Sequence, residues 1–128
     1  MALIRALTGG GGGGSSDVVV GTEIITTGTD SVVSLDFVPT LVITEVNNGS
    51  TDTRTGVWDS TYQSGTKVMQ MANNNGTAYA KTLTNGDTPT SSNCLYGCLC
   101  KVDTTNKQIT IRQSVSSVGT SVKWIAYK

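Results

Sequence analysis

The chain has 128 residues, of which 14% are charged, and its nine lysine and arginine residues balance nine aspartate and glutamate residues. A neutral chain has no general attraction to nucleic acid or to an anionic membrane, and no stretch approaches the ~20 apolar residues of a membrane span, so neither partner is expected. The chain has no histidine, which removes the commonest general base and metal ligand, and we expect neither enzymatic activity nor a cofactor.

The first sixteen residues differ in composition from the rest and are predicted to form an anchoring arm. A short apolar peptide, residues 1–8, is followed by an unbroken run of glycines, which comprises Gly9, Gly10, Gly11, Gly12, Gly13 and Gly14. Because glycine has no side chain to pack and the most backbone entropy to lose, the run is predicted to be a flexible tether. We expect Leu3, Ile4 and Leu7 to be the anchor, since something must cover these apolar side chains.

Residues 17–128 are predicted to form one domain, and β-branched residues with alternating polarity predict strands in its first half. Val33, Leu35 and Phe37 alternate onto one face, and Pro39 then interrupts pairing as at a bend or an edge. The predicted strands are 17–27, 31–38, 41–46 and 56–59. The segment 47–55 has no apolar residue apart from its turn-forming glycine, so it is predicted to be an exposed loop.

The second half begins with a strand, 67–71, in which Met69 and Met71 are predicted to face inward. The Asn-Gly pair at residues 75 and 76 predicts a tight turn, because both residues accept positive φ, and a return strand should follow over 77–83.

After a second polar loop, 85–93, the pattern predicts a hairpin made of residues 94–102 and 108–113. The last strand, 122–128, carries Val122, Trp124 and Ala126 on one face. About eight short strands with turn signals at roughly 8–12-residue intervals predict an all-β fold, an antiparallel β-sandwich or jelly roll preceded by an extended N-terminal arm.

The cysteines are clustered in the first strand of this hairpin, at Cys94, Cys98 and Cys100. Their even spacing would place all three on one face of an uninterrupted strand. Cys94 and Cys98 would then be ~13 Å apart, beyond the reach of a disulfide. We interpret the three as reduced thiols that fill core space; an intermolecular disulfide is an alternative, and a zinc site lacks a fourth ligand.

Motifs that carry chemistry are scarce. The nine carboxylates are scattered along the chain, mostly in turns or on polar faces, and no two are grouped as a glycosidase pair would need. The glycine run lacks the lysine and hydroxyl residue that follow a phosphate-binding loop. Trp124 is expected in the core, whereas Trp58 and Tyr62 flank a polar loop and are the candidates for surface binding, for example to a sugar ring.

Two stretches near the ends of the domain resemble small bacteriophage and prophage tail proteins. Phe37, Pro39, Val42 and Ile43 match the aromatic, proline and aliphatic strand that open the sandwich in that family. Trp124 and Ala126 match the strand that closes it, whereas Asp36 stands where the family has a glycine. These are framework positions, so the resemblance implies a fold and a virion role but transfers no functional residue.

The combined interpretation is a non-enzymatic structural protein of a phage or phage-like particle, anchored by residues 1–16 and displaying residues 17–128. A tail appendage or tail fibre is favoured, and a capsid decoration protein or a glycan- or receptor-binding attachment module are the alternatives. The expected partners are other virion structural proteins and further copies of the chain, with a trimer favoured, and a host-surface glycan for the attachment alternative. No signal peptide is recognised, because Arg5 lies inside the short apolar segment, so assembly is expected in the bacterial cytoplasm, before the protein resides in the virion.

Overall fold

The computed structural model describes residues 17–25, 30–47, 52–74, 76–87, 98–112 and 120–128. Within these ranges the chain forms antiparallel strands and no α-helix, which confirms the predicted all-β class. The strands are β1 (Val18–Ile25), β2 (Asp30–Ser34), β3 (Leu41–Asn47), β4 (Asp52–Asp59), β5 (Lys67–Asn74), β6 (Thr77–Thr84), β7 (Cys98–Asp103), β8 (Gln108–Arg112) and β9 (Thr120–Tyr127). A 3-10 turn, Tyr62–Gly65, links β4 to β5. The predicted arm, residues 1–16, lies outside the described residues.

The strands are arranged in two sheets, with the orders β1-β9-β3-β4-β5-β6 and β2-β8-β7. Strands β3 to β6 form a meander, and its predicted last turn is present, with Gly76 at a φ of 83°. Strand β9 comes from the far end of the sequence and pairs with both β1 and β3. Strand β7 packs across β3, β4 and β5, so the two sheets form a sandwich.

The core lies between the two sheets. Register aligns one row of side chains across the inner face of the larger sheet, comprising Ala126, Val42, Trp58, Val68 and Leu83. The smaller sheet contributes Leu99, Val102, Ile109 and Ile111, and all of these residues belong to one buried cluster. Each fully buried aliphatic side chain of this cluster stabilises the fold by about 1.5–3 kcal/mol. The predicted inner positions of Val122, Trp124 and Ala126 are confirmed.

The adjoining inner rows are partly polar, and two of their side chains, Gln70 and Arg54, donate hydrogen bonds to backbone carbonyls. The buried amide of Gln70 donates to the Leu99 carbonyl at 3.0 Å and so ties the larger sheet to the smaller one. Arg54 is also buried, and its Nη1 donates to the carbonyls of Thr53 at 2.9 Å and Asn73 at 3.0 Å. These hydrogen bonds offset part of the cost of removing the two polar side chains from water.

The structure corrects the predicted loop at residues 47–55. Strand β3 extends to Asn47 and β4 begins at Asp52, and only residues 48–51 between them lie outside the described ranges. Residues 52–55 lack apolar side chains, yet they pair with β3 on one side and with β5 on the other. Pairing on both sides satisfies the backbone of this segment, which outweighs its loop-like composition.

The predicted inward orientation of Met69 and Met71 is wrong. Val68 pairs with Trp58 and faces the core, so Gln70 also faces inward while Met69 and Met71 face outward. Met71 is 47% exposed. The sequence offered apolar residues in both phases of this strand, and the inward position of Gln70 is possible because the Leu99 carbonyl accepts its hydrogen bond.

Strand β7 contains a bulge at Cys100. The register with β8 shifts between Leu99 and Lys101, so Leu99 and Cys100 are both buried although they are adjacent. The assumption of uninterrupted alternation is therefore wrong at Cys100. Its buried thiol donates to the Thr110 carbonyl at 3.3 Å, in agreement with a reduced core cysteine. Cys94 and the side chain of Cys98 lie outside the described part of the structure.

The predicted hairpin of β7 and β8 is confirmed over Cys98–Asp103 and Gln108–Arg112, and the side chain of Asp103 closes its turn. Its Oδ1 accepts the backbone N–H of Asn106 at 2.9 Å, and its Oδ2 accepts the side-chain amide of the same residue at 2.9 Å. These hydrogen bonds, the backbone one first, lower the pKa of Asp103 from 3.8 to about 2. The folded protein therefore stabilises the ionised form of the Asp103 carboxylate.

Replacing this carboxylate should make stability less dependent on pH. Since the folded pKa lies below the unfolded one, the contribution of Asp103 is complete above pH 3.8 and is lost as the pH falls towards about 2. We expect Asp103→Asn to lower the free energy of unfolding most at neutral pH, with the gap to the wild type narrowing between these two values. Urea unfolding at a series of pH values measures the gap. A carboxyl ¹³C titration of Asp103 close to 3.8 in the folded protein would contradict the assignment.

Candidate functional site

The two outer faces of the sandwich differ in polarity. On the smaller sheet, register aligns Asp30 with Arg112 and, in the next row, Val32 with Thr110. Arg112 donates to both carboxylate oxygens of Asp30, with Nη2 at 2.6 Å from Oδ2, and this hydrogen bonding lowers the pKa of the Asp30 carboxyl. Val32 is an isolated exposed apolar residue in an otherwise polar surface, which is ordinary for a soluble face.

The larger sheet instead carries a continuous apolar row on its outer face. Successive pairs in the register are Val20 with Ile125, Ile125 with Ile43, Ile43 with Val57, and Val57 with Met69. We call this row, which consists of Val20, Ile125, Ile43, Val57 and Met69, the apolar stripe. It crosses five neighbouring strands, which at a spacing of about 4.8 Å corresponds to roughly 19 Å.

Exposure along the apolar stripe is uneven. Val20 at its β1 end is 42% exposed, Ile125 is 8% exposed, and Ile43, Val57 and Met69 are half-buried. Side chains in one row of an antiparallel sheet lie about 5 Å apart, so the five form one contiguous surface. A contiguous apolar row across a sheet face is typical of a surface that another protein segment covers.

The neighbouring row adds charge to this surface. Lys123 and Glu45 are directly opposite each other on β9 and β3, and both are exposed. They border an open groove of about 300 Å³ beside the stripe, whose lining includes Val20, Ile43, Ile125 and Tyr127. A shallower depression of about 500 Å³ follows the same face over β4 to β6, where Met71, Ala78 and Ala80 lie among polar residues. The surface therefore combines apolar contact area with charged groups that can orient a partner.

The two aromatic candidates for surface binding do not form a common site. Trp58 is only 2% exposed, and its indole N–H donates to the Gly65 carbonyl at 2.8 Å, so the expected surface position of Trp58 is wrong. Tyr62 is 37% exposed in the 3-10 turn. Trp58 instead supports that turn from beneath, because its indole bonds to the last residue of the segment that carries Tyr62.

The other predicted site residues belong to segments outside the described ranges. Leu3, Ile4, Leu7 and the glycines 9–14 lie outside the described residues, and so do residues 88–93, most of the second predicted loop. Among the described residues, no three cysteine, aspartate or glutamate side chains lie close enough together to hold a metal ion. No helix in the same part of the chain is long and apolar enough to cross a membrane.

Sequence reasoning missed the apolar stripe as a unit. Alternation assigns the residues of each strand to two faces, but it does not say which strands are neighbours. The pairing of β9 between β1 and β3 brings Val20, Ile125 and Ile43 together. The available signal was an excess of apolar residues in both phases of several strands.

No protein-family model matches the chain, and comparisons with curated proteins and with solved structures find no match.

Proposed function

We propose that the chain is a non-enzymatic structural protein of a phage or phage-like particle. Its N-terminal arm would anchor it, and its β-sandwich would be displayed as part of a tail appendage. The observation that carries this proposal is the apolar stripe on the outer face of the larger sheet, contrasted with the polar outer face of the smaller one. A sandwich with one apolar outer face is suited to being built into an assembly.

The geometry supports a protein partner for this face. The apolar stripe offers a flat row of aliphatic side chains and a methionine. Its burial against a partner would stabilise the complex by about 25 cal/mol for each Å² of apolar surface removed from water. Lys123 and Glu45 lie beside the row and would orient the partner through charge. Neighbouring subunits of a particle, either other virion proteins or further copies of this chain in a trimer, have the extended surfaces that such a face requires.

The alternatives of a capsid decoration protein and of a receptor-binding module differ in what the displayed surface does. Tyr62 is the exposed aromatic that an attachment role would use, while Trp58 is unavailable to a ligand because it is buried. Since the groups that carry our proposal lie on the sheet face rather than at this turn, we give the structural role precedence.

The proposal predicts that the chain copurifies with particles and that its incorporation into them requires the apolar stripe. Substituting Ile43→Lys places a charge in the middle of the stripe, and we expect at least a tenfold loss of particle-bound chain, since an unpaired buried charge opposes association strongly. Val32→Lys is the matched control, because it introduces the same charge on the outer face of the smaller sheet. Particles from the host that carries the gene would be purified on a density gradient and quantified by immunoblot and immunogold microscopy.

Circular dichroism of both variants checks that the fold is intact. If the wild-type protein is absent from the particle fractions, the virion role is refuted. Equal incorporation of the two lysine variants would refute the role of the sheet face.

A further inference from the structure

We infer that, before assembly, the apolar segment of residues 1–8 docks on the apolar stripe of its own domain. This inference goes beyond the proposed function, because it concerns the chain in isolation and needs no particle. The stripe is the acceptor surface, and Leu3, Ile4 and Leu7 are the groups that would cover it.

The place where the described chain begins makes this docking geometrically accessible. The carbonyl of Asp17 accepts the backbone N–H of Lys128 at 2.8 Å, which fixes the start of the domain beside β9. Val20, the first member of the apolar stripe, follows three residues later, about 10 Å along β1. Residues 8–16 can span up to roughly 30 Å when extended, and the whole stripe is about 19 Å long. The segment can therefore reach every side chain from Val20 to Met69.

The chemistry of the segment matches that of the surface. Residues 1–8 have one charged side chain, Arg5, among apolar or small residues. The row next to the stripe presents the carboxylate of Glu45, which is exposed and can pair with Arg5 while the leucines and Ile4 contact the stripe. Removal of Leu3, Ile4 and Leu7 from water and partial cover of Val20 both favour the docked state.

The glycine tether favours docking within one chain over exchange between chains. A short flexible connection gives the segment an effective concentration in the millimolar range at its own domain. At micromolar protein concentration, the stripe of a second copy cannot compete with this. The docked segment would then have to leave the stripe before another subunit could cover it, so the arm opposes association of unassembled chains.

Photo-crosslinking of the full-length protein tests the location of the segment. Leu7 would be replaced by p-benzoylphenylalanine, the protein irradiated at micromolar concentration, and the crosslinked peptides identified by mass spectrometry. We expect intramolecular crosslinks to the apolar stripe, with Met69 and Val57 as its acceptors farthest from β1. Crosslinks confined to the smaller sheet, crosslinks that join two chains, or no crosslink to the domain would each overturn the inference.

Proteolysis gives a second readout that does not depend on the photoreactive residue. Trypsin cleaves after Arg5, and docking should slow this cut, which intact-mass spectrometry follows directly. We expect Ile43→Lys or Val57→Lys to accelerate cleavage after Arg5 by at least threefold, and Val32→Lys to leave it unchanged. Two stripe variants guard against misfolding of one of them. Equal cleavage rates in folded stripe variants and in the control would contradict docking, whatever the outcome of the particle experiment.

Discussion

Replacing Gly21 with alanine is expected to destabilise the sandwich by about 1–3 kcal/mol, the usual cost of overpacking a close contact. A Cβ at this position would lie 2.4 Å from Cζ2 and 2.5 Å from Cε2 of Trp124, far closer than carbon atoms approach. Gly21 and Trp124 are paired in the register of β1 and β9, and the indole is 93% buried, so it cannot swing aside as an exposed side chain would. Strand β1 would have to move away from β9 instead.

A double-mutant cycle separates this clash from the intrinsic preferences of glycine and alanine. Trp124→Phe shortens the ring that occupies the space, so Gly21→Ala should cost at least 1 kcal/mol less in that background, in the range of couplings between residues in contact. Urea unfolding followed by circular dichroism measures the four proteins. If the losses in the free energy of unfolding of the two single variants simply add in the double variant, a clash between residue 21 and the indole is not the cause of the destabilisation.

Truncation of Trp58 to alanine is expected to have the largest effect of any single substitution considered, about 3–5 kcal/mol. Its side chain lies in the central inner row between Val42 and Val68, so truncation leaves a cavity in the middle of the core. It also removes the hydrogen bond from the indole to the Gly65 carbonyl. A loss of this size is a large part of the stability of a domain of this length.

Trp58→Phe distinguishes packing from the hydrogen bond. Phenylalanine retains most of the apolar volume but cannot donate to the Gly65 carbonyl, which still accepts the amide of Asn85 at 3.2 Å. We expect a smaller loss of about 1–2 kcal/mol, with a faster hydrogen exchange of the amides in the Tyr62–Gly65 turn, since the indole no longer supports it. If alanine and phenylalanine destabilise equally, the core position assigned to Trp58 is incorrect.

The Tyr62–Gly65 turn shows why some of the candidate site could not be read from the sequence. Trp58 and Tyr62 are close in sequence and both flank polar residues, so the same reasoning assigned both to the surface. The structure separates them, because Trp58 lies in phase with the buried residues of β4 while Tyr62 belongs to the turn beyond the strand. Polar neighbours in the sequence do not indicate whether the opposite sheet covers a side chain.

Segments 52–55 and 67–71 show that parts of the fold also could not be predicted from local sequence. Arg54 has no apolar neighbour that would indicate a core position, yet carbonyls of β4 and β5 satisfy its Nη1 in the interior. For the strand with Met69 and Met71, hydrophobicity favoured the wrong phase. The carbonyl that makes the opposite phase possible belongs to Leu99, which lies 29 residues away from Gln70.

The features that depend on neighbouring residues could be predicted from the amino-acid pattern. These are the β-rich class, the Asn-Gly turn, the hairpin of β7 and β8, and the inner face of the last strand with Val122, Trp124 and Ala126. Each follows from the local geometry of a strand or a turn, in which side chains alternate and special φ values select Gly and Asn.

Contacts between distant segments, by contrast, set the strand order, the phase of β5, the bulge at Cys100 and the apolar stripe. The stripe joins Val20 near the start of the chain, Ile43 in its first half and Ile125 near its end. Alternation assigns each of these residues to one of two faces, but hydrogen bonding between distant strands decides which residues share a row. The apolar stripe, on which both proposals depend, therefore exists because of the register between paired strands.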